Sequence, residues 1–151
     1  MHPNLKPGLR SRFEYTVSAD KTVARLYDEF SEFQQMPAVF ATGFMVGLIE
    51  ATCQKAIVPF LDWPREQSLG TLVNLTHLAA TPPGMIVTVE AEVVAVEGRL
   101  VRFRARAHDE RDLISEGTHE RVVIDAQRFL RKVAEKKQAA AQARSDASAP
   151  E

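Results

Sequence analysis

Glu50 is the one acid in the run ATGFMVGLIEATCQKAIVPF, residues 41–60. Phe44, Met45, Val46, Leu48, Ile49, Ala51, Cys53, Ala56 and Ile57 surround it on every face of a helix. A helix that is apolar all round is a buried helix. A carboxylate there must be paired, hydrogen-bonded or neutral, because an isolated buried charge costs many kcal/mol. Such groups gather at functional sites, although one can also hold a backbone group or meet a partner. Thr42 and His77 are the other polar side chains set among apolar neighbours. Thr42 opens the helix, where free backbone N–H groups favour negative charge. Gly43 beside it lets a ligand approach the backbone. The Thr42 hydroxyl can equally cap the helix, and a lone histidine on an apolar face can be a satisfied core residue. Taken together, an acid, a hydroxyl and an imidazole suit acyl transfer: attack or water activation, proton shuttling and oxyanion stabilisation. On one straight helix Thr42 and Glu50 lie ~12 Å apart along the axis. Either Thr42 sits on a loop that folds back, or the site draws residues from two subunits.

The elements that must position these residues follow from the apolar periodicity. Residues 12–17 alternate as a short strand, with Phe13, Tyr15 and Val17 on one side. Residues 18–40 are irregular, and Phe30, Phe33 and Met36 fit one helical face, either as a cover or as core. The long helix spans 43–57 behind Thr42 and ends before Pro59 and Pro64. Residues 69–78 read as a strand in which Val73, Leu75 and His77 share the core face. After the turn AATPPG, residues 85–109 read as a hairpin about Glu97-Gly98-Arg99. Pairing Val96 with Leu100 puts Glu92 opposite Arg104, Glu90 opposite Arg106 and Val93 opposite Phe103. A last strand covers about 112–124. In it His119, among Glu116, Glu120 and Arg121, is expected to face solvent, and Arg121 reads as a surface residue. Residues 125–143 form a polar helix.

This order predicts an α+β fold in which an antiparallel sheet wraps around one long central helix, the hot-dog architecture. One sheet cannot cover an all-apolar helix, so a homodimer with sheets joined edge to edge is expected. The domain spans 1–135, and 136–151 is a polar tail expected to be disordered.

A formal net charge of −1 gives no field drawing the chain to nucleic acid or a membrane surface. No apolar run reaches the ~18 residues of a membrane span, and the first residues lack the apolar core of a signal peptide. The single cysteine, Cys53, forms no internal disulfide and reads as a small core residue, and no Cys/His metal pattern exists. A cytoplasmic protein without metal or bound cofactor is expected.

The segments VFATGFMVGLIEATC (39–53), SLGT (68–71), THLAATPPGMIVTVEAE (76–92) and GTHERVVI (117–124) make the chain resemble the fluoroacetyl-CoA thioesterase family of hot-dog proteins. The resemblance covers about residues 8–135. It implies a thioesterase acting on a small acyl-CoA, with CoA as part of the substrate. It assigns the family's catalytic threonine, glutamate and histidine to Thr42, Glu50 and His77, and its substrate-contacting glycine and arginine to Gly70 and Arg121. It also implies a lid over the acyl pocket, where Phe33 is retained and Met36 stands in place of a phenylalanine. Methionine lacks the aromatic quadrupole, which predicts weak discrimination between fluoroacetyl and acetyl esters. A hydratase or dehydratase acting on an enoyl-CoA, and a non-catalytic acyl-CoA-binding module, are the rival readings for this fold.

Overall fold

The computed structural model describes residues 1–147. Alternating apolar residues build five strands: β1 (Arg10–Thr16), β2 (Glu66–Leu75), β3 (Ile86–Glu97), β4 (Leu100–His108) and β5 (Leu113–Asp125). They form one antiparallel sheet in the order β1-β3-β4-β5-β2, so β1 and β2 are its edges. Between β1 and β2 the chain makes a short helix α1 (Ser31–Gln34) and the long helix α2 (Thr42–Ile57). A polar helix α3 (Ala126–Ala147) follows β5. The sheet curves around α2 as expected. Val87, Val89, Ala91 and Val93 of β3 and Val101, Phe103, Ala105 and Ala107 of β4 meet Met45, Ile49, Cys53 and Ile57 of α2 in one core. The alternation required this, since one parity of each strand is apolar and must be buried.

Four expectations need correction. The helix is not enclosed on all sides: Gly43, Gly47 and Ala51 are exposed, and Val46 and Glu50 are half-buried. A single copy of the chain leaves that face open. The hairpin register is as expected at Glu90–Arg106, Glu92–Arg104 and Val93–Phe103. Its turn is tighter, however, pairing Glu97 with Leu100 and Val96 with Val101, and a bulge at Val94 absorbs the extra residue. Gly98 at that turn has φ +59°, which favours glycine. In β2, Val73 is 50% exposed on the free sheet edge rather than in the core. His77 lies beyond the end of that strand. Finally, α3 continues through residues 136–147, past the expected boundary of the ordered domain, with no buried residue. Residues 148–151 lie outside the described residues.

Candidate active site

Thr42 is the first residue of α2, and Ala41 occupies the cap position. The Thr42 hydroxyl therefore does not cap the helix. It lies 2.7 Å from His77 Nδ1. The loop after β2 carries His77 there, and the imidazole is half-buried with Nε2 enclosed and without a hydrogen-bond partner. With its proton on Nε2, the ring accepts the Thr42 hydroxyl proton at Nδ1. That is how a base and a weak nucleophile or proton relay are paired.

Glu50 belongs to a different cluster, built where α2 crosses β2 and β5. Its Oε1 accepts from Arg121 at 3.3 Å and lies 3.7 Å from His119 Nε2. Arg121, only 5% exposed, also donates from Nε to Ser68 Oγ at 3.0 Å and from NH2 to the Ser68 carbonyl at 2.8 Å. The surface reading of Arg121 is thus overturned, and so is that of His119, which is wholly buried and stacked on Phe103. The missed signal was parity. His119, Arg121 and Val123 alternate along β5, and Val123 is core. Their charged neighbours masked it. Burial pushes the His119 imidazole below its ordinary range; its bond to the Leu72 carbonyl resists this, and the Arg121 cation adds to the lowering. Burial likewise lowers Arg121, against the pull of Glu50. Cys53, beneath this cluster, is pushed up to about 12 by burial, which leaves it no thiolate to attack with.

Gly70 sits against Glu50 at a bulge in β2, where the pairing shifts between Gly70 and Leu72. A Cβ at position 70 would fall on Glu50 Oε1 and within 3.1 Å of His119 Cε1. Only glycine lets the strand backbone come this close to the carboxylate.

The cover segment lies at the other end of α2, where Leu26 packs over Gly43. Tyr27, Phe30 and Phe33 form a ring cluster there, with Phe30 edge-on to both Tyr27 (5.7 Å) and Phe33 (5.9 Å). Met36 stays outside it and is 50% exposed. The structure thus joins Thr42 to His77, and Glu50 to Gly70 and Arg121, as two separate groups. Among the described residues, no group of three or more His, Cys, Asp or Glu is placed to hold a metal ion.

The chain is similar to known proteins over most of its length. The family profile described as fluoroacetyl-CoA-specific thioesterase matches residues 17–127. The fluoroacetyl-CoA thioesterase of Streptantibioticus cattleyicolor is 50% identical over 136 residues, which are 90% of this chain and 97% of that protein. A crystal structure of the fluoroacetyl-CoA thioesterase FlK superposes with a TM-score of 0.86 at 50% identity, covering 88% of this chain and 98% of that one. A variant of FlK has been crystallised with fluoroacetate and CoA. A thioesterase superfamily member from Thermus thermophilus, 33% identical, superposes with a TM-score of 0.78 over 91% of this chain and 98% of its own. With the profile matching residues 17–127 and a relative 50% identical over 90% of its length, the chain belongs to the fluoroacetyl-CoA-specific thioesterase family.

Proposed function

We infer that this chain hydrolyses the thioester of a small acyl-CoA of the fluoroacetyl type, releasing the free acid and CoA. The observation that carries the reading is Glu50: a carboxylate held by Arg121 and left open beside the backbone of Gly70. The Arg121 guanidinium holds the carboxylate in place, and the absent Cβ lets the Gly70 backbone lie directly against it. Glu50 supplies the attacking oxygen: its own, giving a mixed anhydride that water then hydrolyses to the free acid and the carboxylate, or that of a water it deprotonates, giving the acid directly. The C–S bond then breaks, and the departing sulfur takes a proton. The Thr42–His77 pair suits that transfer and the polarisation of the thioester carbonyl. Gly70 offers backbone to the acyl end, and Phe33 and Met36 belong to the cover over it. Arg121 acts here mainly by orienting Glu50. The reading assigns no metal or bound cofactor and needs neither nucleic acid nor a membrane; no described helix is long and apolar enough to cross a membrane. A reduced, cytoplasmic setting suits the free, buried Cys53.

The two groups are ~12 Å apart along α2, too far for one thioester. A homodimer resolves this. The free edge of β2 bears exposed Leu72 and Val73, and the open face of α2 carries Glu50 beside it. Pairing two copies along β2 would cover both and set Thr42 and His77 of one copy against Glu50 of the other. Two experiments test the reading. A thiol-release screen over acetyl-, fluoroacetyl-, branched and aromatic acyl-CoAs should show turnover with a small acyl group; no thiol release from any of them overturns it. Mixed refolding of Glu50→Gln with Thr42→Ala should restore about a quarter of wild-type activity, because in mixed dimers one site keeps both residues. No restoration places the whole site within one chain.

A further inference from the structure

His119 has no part in the reaction as described above, yet it is the most enclosed polar side chain near Glu50. We propose that His119 is a positioning residue: a neutral imidazole, protonated at Nδ1, that fixes the β2 bulge with one nitrogen and Arg121 with the other, and so holds Gly70 and Glu50 in register. This deepens the thioesterase reading and rests on it for the assignment of Glu50.

The tautomer follows from the partners. His119 Nδ1 lies 2.7 Å from the Leu72 carbonyl, which can only accept, so Nδ1 carries the proton. Nε2 of the neutral ring is then an acceptor, and Arg121 donates to it at 3.2 Å. A second proton on the ring would remove that acceptor and place two cations side by side. Both nitrogens are therefore committed, and the ring plane is held by stacking on Phe103, 6.4 Å between centroids. The two tethers reach the two neighbours that meet Glu50 at Oε1, the β2 bulge beside Gly70 and the Arg121 guanidinium. The pairing of β2 with β5 shifts between Gly70 and Leu72, leaving an extra residue on the sheet edge. The extra residue is Thr71, and His119 holds the carbonyl of Leu72, the first paired residue beyond it. Gly70, on the other side of Thr71, is the residue whose backbone crowds Glu50. On the other side, Arg121 NH1 divides itself between Glu50 and His119. The imidazole gives the guanidinium a second fixed contact on that nitrogen, in addition to Ser68, and so aims it.

The test separates this role from mere support of the fold. His119→Leu removes both tethers. It should lower kcat ~10²-fold, the cost of a small misplacement of reacting groups, with KM changed far less. His119→Gln places an amide oxygen near the Nε2 position and should recover kcat to within ~10-fold of wild type. Equal loss in both variants, or kcat unchanged in a folded His119→Leu, overturns the proposal. Imidazole ¹⁵N shifts of the substrate-free wild-type protein give a readout without turnover. The His119 signals, assigned by through-bond correlation to its own backbone, should show a protonated Nδ1 and a bare Nε2 at pH 7. A bare Nδ1 or a doubly protonated ring overturns it, even if every variant at 119 fails to fold. If wild type releases thiol from no acyl-CoA while the ring shows the expected tautomer, the thioesterase reading fails and the tethering stands.

Discussion

Thr42 and Glu50 belong to one helix, yet their surroundings differ in kind. Thr42 is exposed at the helix start and makes one side-chain contact, to a histidine on a loop. Glu50 is half-buried in mid-helix and tied through Arg121 to Ser68 and His119 on two strands. The difference teaches how the fold divides labour. Charge is kept where the sheet can supply compensating donors, because an uncompensated buried carboxylate is costly. The Thr42 hydroxyl can sit at an open edge, because a neutral group there loses little if water reaches it. The larger functional loss is therefore expected at the Glu50 end, and the greater dependence on a second copy at the Thr42 end.

The sharpest way to break this contrast is Glu50→Gln. It keeps the size and still accepts from Arg121, but it removes the base and nucleophile. Turnover should fall at least ~10²-fold, in keeping with acid–base contributions, while the thermal midpoint stays near that of wild type. An unfolded variant, or one with full activity, makes Glu50 a structural acid.

Dimer dependence comes next. Val73→Lys puts a charge on the free edge of β2, a device that blocks edge pairing. Sedimentation should show dissociation at micromolar concentration, and activity should fall with the dimer fraction. An active monomer would mean that Thr42 and Glu50 of one chain serve a single site.

How much of this was legible beforehand differs residue by residue. Glu50 stood out because a charge interrupted an apolar helix, and pairing was then required on energetic grounds. The fold followed from alternation along β3 and β4, where one parity is uniformly apolar. The same logic failed at β5. There the inner face carries His119 and Arg121, and such residues read as surface until the buried carboxylate they serve is known. It failed again at Val73, because an exposed sheet edge and a core strand look alike in sequence; both are apolar and only the partner differs. Thr42 has the composition of a helix cap, and only the position of His77, set by the loop after β2, gives its hydroxyl another use.

The cluster around Glu50 should also respond to acid. His119 has its folded-state pKa lowered by burial, so the unfolded chain takes up a proton that the folded chain refuses. Stability is then whole above the ordinary histidine value of ~6.5 and drains as pH falls from there toward the lower folded value. Urea midpoints measured between pH 8 and pH 5 should show this decline in wild type and a shallower one in His119→Gln. Parallel declines would mean that other groups account for it.

The smallest effect is expected at the cover. Met36 in place of an aromatic predicts weak discrimination between fluoroacetyl- and acetyl-CoA, and kcat/KM for the two esters is the comparison that measures it. Met36→Phe would sharpen selectivity strongly if residue 36 closed over the acyl group. Here Met36 is half exposed, and the packed aromatic contacts are those among Tyr27, Phe30 and Phe33. A phenylalanine at 36 would add at most one more aromatic contact. Such a contact is worth ~0.5–1.5 kcal/mol, or about 2- to 12-fold in the ratio of the two esters. Phe33→Ala should move that ratio more, because it removes the ring that touches both Tyr27 and Phe30. If Met36→Phe instead raises the preference for the fluorinated ester by several orders of magnitude, residue 36 is the gate. The aromatic cluster then only anchors the segment that carries it.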